Sequence, residues 1–138
     1  YPEKHFEAPN MSTDIKYLKA KVDAGADYIV TQMFYNNDAF FKFRDDCHAA
    51  GIDIPIIPGL KILSTEAHLR VIPKNFYVDI PEELSNQVIG QSKEEIRRIG
   101  IDWAMNQVQE LVDAKVPCVH FYIMSSANSV AKVVSQFN

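Results

Sequence analysis

The chain has no excess of basic residues. Its 138 residues hold 14 Lys and Arg against 18 Asp and Glu, a net charge of −4. A nucleic-acid partner would call for a basic face, so none is expected. No apolar run approaches the roughly 18 residues of a membrane-spanning helix, and no membrane partner is expected either. Cysteine is scarce. Cys47 and Cys118 stand alone, outside any C-x-x-C or mixed Cys/His pattern. No metal site is expected from them, and they read as two reduced core thiols of an intracellular, cytoplasmic protein. Two nucleotide signatures are missing as well: no G-x-G-x-x-G follows a strand-like run, and there is no P-loop. The opening residues YPEKHFEAPN are densely polar and show no charged-then-apolar leader, so nothing in them marks secretion. A start on Tyr1 without a Met is expected of a cut chain.

What is present fits one compact domain over residues 1–138, with 47% hydrophobic residues. Ser12 or Thr13 is a fair N-cap for a helix with Ile15, Leu18 and Val22 on one stripe, closed by Gly25. A strand follows from Tyr28 to Phe34. Asn36 or Asn37 caps a second helix with Phe40, Phe43 and Cys47 inward, ended by Ala50 and Gly51. The run IPIIPGL is strand-like and stops at Gly59. Ser64 starts a helix ended by Pro73, and a short helix begins near Pro81. Ser92 and Glu95 match a capping box ahead of the longest helix, which carries Ile96, Ile99, Trp103, Val108 and Leu111. Glu94 and Arg98 are spaced for an i,i+4 pair. Gly100 interrupts that helix and implies close packing against the sheet. The run VPCVHFYIM is a third strand, and SVAKVVSQF a terminal helix.

Near-continuous apolar strands alternating with helices predict an α/β fold with a parallel sheet covered on at least one side. Polar residues gather at the carboxyl ends of the strands: Gln32, then Gly59, then His120 and Tyr122. Ligands bind at that end in open α/β sheets and in (β/α)₈ barrels alike. Gln32 would cost about 1–3 kcal/mol if buried without a partner, so its place at a strand end marks it as a ligand contact. His120 reads as a hydrogen-bonded core histidine, and Lys61 as an exposed loop lysine outside the site. Three strands cannot close a barrel, and apolar edges left bare would attract a partner strand. Self-association is therefore expected, through the Tyr28–Phe34 or the Pro117–Ile123 edge.

Five motifs occur in series: YPEKH, then D-x-x-x-L-K-x-K-V-D-A-G-A from Asp14 to Ala26, T-Q-x-F-Y, I-I-P-G and H-F-Y. In this order and spacing they resemble the methylenetetrahydrofolate reductases, flavin enzymes built on a (β/α)₈ barrel. The resemblance spans essentially the whole chain. It implies a partial (β/α)₈ TIM barrel, the second half, running from the loop after strand 5 through strands 6 to 8. It also implies reduction of 5,10-methylenetetrahydrofolate to 5-methyltetrahydrofolate through FAD, with NADH or NADPH as reductant. Tyr1 and His5 are then expected at the FAD site, and Asp14 and Lys21 against the non-flavin part of FAD. Gln32 would hydrogen-bond the pterin ring, and Tyr122 would line the substrate side. No catalytic residue is expected in this chain. The family's general acid Glu of strand 1 and its flavin-side Asp after strand 4 belong to the other barrel half.

Three positions depart from the family pattern. Where the family commonly reads T-L-N-R after H-F-Y, this chain reads IMSSA, with Ser126 at the Arg position that helps hold the folate tail. After I-I-P-G the common I-x-P is replaced by LKIL, with Lys61 in the loop. Ile72 stands where a substrate-stacking aromatic is usual. Two other readings compete. One is a non-catalytic, self-associating half-barrel that does not bind FAD. The other is a different (β/α)₈ enzyme such as an aldolase, which would need a Schiff-base lysine at a strand end, and none is expected at the three strands here.

Overall fold

Three parallel strands, β1 (Ile29–Met33), β2 (Ile56–Leu60) and β3 (His120–Phe121), form one sheet in the order β1-β2-β3. The structure is a computed structural model describing residues 1–3, 10–124 and 126–137. Helix α1 (Met11–Asp23) precedes β1, and α2 (Asn37–Ala49) connects β1 to β2. Helices α3 (His68–Phe76), α4 (Glu82–Val88) and α5 (Lys93–Asp113) lie between β2 and β3, and α6 (Asn128–Val134) follows. The expected α/β class with a parallel sheet is what is observed. No helix among the described residues is long and apolar enough to cross a membrane.

Helix starts and stops follow local chemistry. The cap of α1 is Asn10, two to three residues before the expected Ser12 or Thr13; its Oδ1 accepts from the Thr13 backbone N–H at 2.8 Å. Asn36 caps α2, and Ser92 caps α5 by accepting from Glu95 N–H. The second half of the α5 capping box is unused, because Glu95 pairs with Arg98. Arg98 also bonds Asp102 at 2.9 Å, so its partners are these two and not Glu94.

The three helices that lead into strands end alike. In α1, Gly25 N–H bonds Val22 O and Ala26 N–H bonds Lys21 O. The same pair of bonds closes α2 through Gly51 and Ile52, and α5 through Lys115 and Val116. This motif needs a left-handed residue after the C-cap. Gly25 and Gly51 supply it freely, whereas Lys115 adopts it at φ 60 against a side-chain penalty of about 1–2 kcal/mol.

Three expectations are corrected. Helix α3 begins at His68, after turns from Thr65, Glu66 and Ala67, and Pro73 lies inside it. Burial of Ile72 holds the helix together despite the proline, and a left-handed Tyr77 closes it with N–H on Pro73 O. Strand β2 runs through Gly59 to Leu60. Only two residues of the third apolar run join the ladder, which leaves Cys118 exposed and outside the core while Cys47 is fully buried.

The main core lies between one face of the sheet and α1, α2, α5 and α6, with Phe34, Phe40, Ile56, Leu60, Val108, Leu111 and Val133 at its centre. A second cluster joins the carboxyl end of β1 (Met33, Tyr35) to α3, α4 and the first half of α5. Gly100 lies where α5 crosses the segment after β2: a Cβ there would stand 1.8 Å from Leu63 O. The close partner is this connecting segment, not the sheet itself. Gly100→Ala is expected to cost about 1–3 kcal/mol by overpacking, outweighing the roughly 1 kcal/mol gained in helix propensity. Lys115→Gly should raise stability by up to about 1 kcal/mol. Urea unfolding of both variants checks the pair, and a more stable Gly100→Ala chain would contradict the close crossing.

Candidate functional site

At the carboxyl end of β1 the ladder slips. Val30 pairs with Ile57 but Met33 pairs with Gly59, so β1 holds one residue more than β2 over this stretch. Thr31 fills the irregularity from both of its oxygens. Its Oγ1 accepts from Gly59 N–H at 3.0 Å, and its carbonyl accepts from the Tyr122 hydroxyl at 2.7 Å. Tyr122 thus reaches from the end of β3 across β2 to β1. Only a glycine at 59 permits this, since a Cβ would lie 2.5 Å from Thr31 O and 2.7 Å from Tyr122 Cε2.

Beside this crossing lies a cavity of about 330 Å³ between α1 and β1, lined by Tyr1, Asp14, Lys21, Thr31, Gln32 and Tyr122 among others. The seven-residue spacing of Asp14 and Lys21 puts both on one helix face, toward the strand end. Gln32 is half-buried, and its Oε1 accepts from Met33 N–H at 3.0 Å. Its NH₂ group makes no hydrogen bond among the described residues. The oxygen tether fixes the amide plane and leaves the donor end available. A cation, a carboxylate, an amide donor and a phenol therefore share one concave wall, a combination suited to a ligand with both charged and heteroaromatic parts.

Five of the six residues singled out from the sequence, Tyr1, Asp14, Lys21, Gln32 and Tyr122, come together around this cavity. The sixth, His5, lies outside the described residues. Leu18, Thr31 and Phe43 also line the cavity and were not anticipated. A polar β-branched residue next to Gln32 in an otherwise apolar strand was the available signal for Thr31. His120 is exposed, not a core histidine; its ring meets Tyr122 edge-on with centroids 4.6 Å apart. Lys61 directly follows Leu60, the last residue of β2, and is half-buried, not the exposed loop lysine expected. Among the described residues no group of three or more His, Cys, Asp and Glu could hold a metal ion.

The segment after β2 carries a protonation-dependent contact. His68 Nδ1 accepts from Ser64 N–H at 3.1 Å, which only the neutral ring with its proton on Nε2 can do. Burial, then the nearby Lys61 charge, lowers its pKa from the ordinary 6.5. A histidine whose folded pKa is depressed binds fewer protons than in the unfolded chain. Its contribution is complete above pH 6.5 and is lost as pH falls below it. Glu3 opposes this trend. Burial raises its pKa to about 7 although its carboxylate accepts from Asp79 N–H, so its contribution weakens as pH rises from about 4.5 to 7. Comparing His68→Gln with the parent chain separates the two: the urea midpoint of the variant should fall less between pH 7 and 5. Parallel pH profiles would show that the His68 contact contributes nothing.

A family model described as methylenetetrahydrofolate reductase matches residues 1–138. The chain is similar to methylenetetrahydrofolate reductase 2 of Saccharomyces cerevisiae, at 36% identity over all of this chain and 24% of the yeast protein. It is also similar to a probable methylenetetrahydrofolate reductase (NADPH) of Caenorhabditis elegans, at 31% identity over 97% of this chain and 21% of the relative. The 5,10-methylenetetrahydrofolate reductase of Salmonella typhimurium is 37% identical over 92% of this chain and 44% of its own length. The chain thus spans less than half the length of these relatives.

Proposed function

This chain belongs to the methylenetetrahydrofolate reductase family, and from that premise we propose that it forms the second half of a flavin-dependent (β/α)₈ barrel, from the loop after strand 5 through strands 6 to 8. In this reading β1, β2 and β3 are strands 6, 7 and 8. The complete protein reduces 5,10-methylenetetrahydrofolate to 5-methyltetrahydrofolate with NADH or NADPH, in one-carbon metabolism leading to methionine. The observation that carries the reading is the convergence of Tyr1, Asp14, Lys21, Gln32 and Tyr122 on one cavity at the strand ends.

The donor set fits part of FAD. Lys21 offers a cation to the diphosphate and Asp14 an acceptor to ribose hydroxyls, and Tyr1 lines the same cavity; His5 is assigned to the FAD site by the family resemblance alone. A cavity of about 330 Å³ holds only a portion of so large a molecule, so the other walls come from sequence outside this segment. When bound, FAD supplies the hydride chemistry. Gln32, tethered through Oε1 to Met33 N–H, donates from its NH₂ to the pterin ring and fixes its face. Tyr122, held by Thr31 O, lines the substrate side. The proton donor belongs to the other barrel half.

The open sheet edges support this division. Tyr28 and Val30 at the β1 edge and Ile123 just past β3 are exposed, and among the described residues each outer strand pairs on one side only. These edges also favour the second reading, a self-associating half-barrel without flavin. Colour separates the two: protein containing this segment should purify yellow with a flavin band, and a colourless preparation would favour the second. The 138-residue chain alone is expected to show no turnover of methylenetetrahydrofolate, and measurable turnover would overturn the division of labour proposed here.

Gln32→Leu in the complete reductase should keep FAD bound while slowing flavin reoxidation by the folate. Leucine nearly matches glutamine in volume, and the lost interaction is one hydrogen bond worth about 0.5–1.5 kcal/mol, more if pterin groups are left unpaired. That corresponds to a loss of roughly two- to ten-fold or more in kcat/KM. Stopped-flow traces of the two half-reactions check it. Loss of FAD, or an unchanged folate half-reaction, would make Gln32 a structural amide only.

A further inference from the structure

The segment before α1 is tied to a point 76 residues further along the chain. Both carboxylate oxygens of Glu3 accept from the Asp79 backbone N–H, at 3.3 and 3.4 Å. The two contacts are long and share one hydrogen, so together they count as a single bond. Among the described residues that N–H has no other acceptor. Asp79 lies between α3 and α4, directly after Val78, which is buried in the cluster that holds Met33 and Tyr35 at the end of β1. The core therefore fixes the donor, and Glu3 is the group that reaches it. Glu3 keeps this place although burial and the Asp79 carboxylate both raise its pKa.

The tie bears on the cavity through the two residues before it. Pro2 is buried and its ring fixes its own φ, so a bond at Glu3 sets the path of the chain through residues 1–3. Tyr1 lies two residues from the bond and lines the cavity together with Asp14, Lys21 and Gln32. A wall that is ordered before its ligand arrives gives up less conformational freedom on binding. One hydrogen bond to the α3–α4 connection thus supports a cavity wall that is otherwise built from α1 and β1.

We propose that Glu3 is a positioning residue for the flavin: by accepting from Asp79 N–H it orders the Tyr1 wall of the cavity and slows the release of FAD. This rests on the flavin reading above. In this assignment Glu3 touches neither the flavin nor the substrate, and it acts through Tyr1. The Asp79 side chain takes no part, since the donor is its backbone N–H.

The test uses the complete reductase with Glu3→Ala, Glu3→Gln and Asp79→Asn. FAD release is followed by flavin fluorescence after dilution, and urea midpoints of the flavin-free proteins are measured beside it. Glu3→Ala should release FAD roughly two- to ten-fold faster, as expected for the loss of one hydrogen bond. Glu3→Gln should restore the parent rate, because its amide oxygen still accepts from the N–H. Asp79→Asn should also release FAD at the parent rate, because it keeps the backbone donor. An unchanged rate in Glu3→Ala, or a lowered urea midpoint without faster release, would overturn the assignment while leaving the flavin reading intact. Release from Glu3→Gln as fast as from Glu3→Ala would overturn it too. A complete wild-type protein that binds no FAD would overturn both.

Discussion

Much of the structure depends on the contact between Gly59 and Tyr122. The absence of a side chain at 59 lets the Tyr122 ring lie across the central strand and bond Thr31 O on the far strand. The same Thr31 satisfies Gly59 N–H through its hydroxyl. In a sheet whose third strand contributes only two residues, this side-chain tie supplements a short ladder. It ties the slip in β1 to the neighbouring strands, next to Gln32 on the cavity wall. A buried backbone group left unpaired would cost about 1–3 kcal/mol, so the two Thr31 oxygens stabilise an irregularity that would otherwise be unfavourable.

The amide network behind β1 has a similar role on the covered side. Gln107 Nε2 donates to Phe34 O and Asn37 Oδ1, and Asn37 Nδ2 donates to Gln107 O. These buried residues lock α5 to the end of β1 and the start of α2. Trp103 adds a bond from its indole N–H to Tyr35 O. The strand end is therefore held by its helices on one side, while Gln32 and Tyr122 on the cavity wall are only half-buried. Rigid support behind an accessible polar wall suits a binding site.

This asymmetry also accounts for the exposed apolar groups. Three parallel strands with helices on one face cannot cover their own edges or inner face, and Val30 remains 38% exposed in the middle of a strand. In a closed barrel such a residue points into a packed interior.

The sequence by itself determined the helices, their order and the parallel α/β class, because capping, periodicity and turn chemistry act within a few residues. The ends of α1 and α2 were legible in Gly25 and Gly51, whereas α5 ends on a left-handed Lys115 that carries no such signal. Motif order alone pointed to the family, and the site residues on α1 and β1 followed from that resemblance. Tertiary structure decided the rest. That Pro73 sits inside a helix depends on the burial of Ile72, and that β2 passes through Gly59 depends on its pairing with β3. The exposure of His120, the crossing of Tyr122 and the partial burial of Lys61 depend on strands distant in sequence. Local propensity carries no information about which face of a strand another element will cover, and that coverage separates the exposed His120 from the buried Thr31.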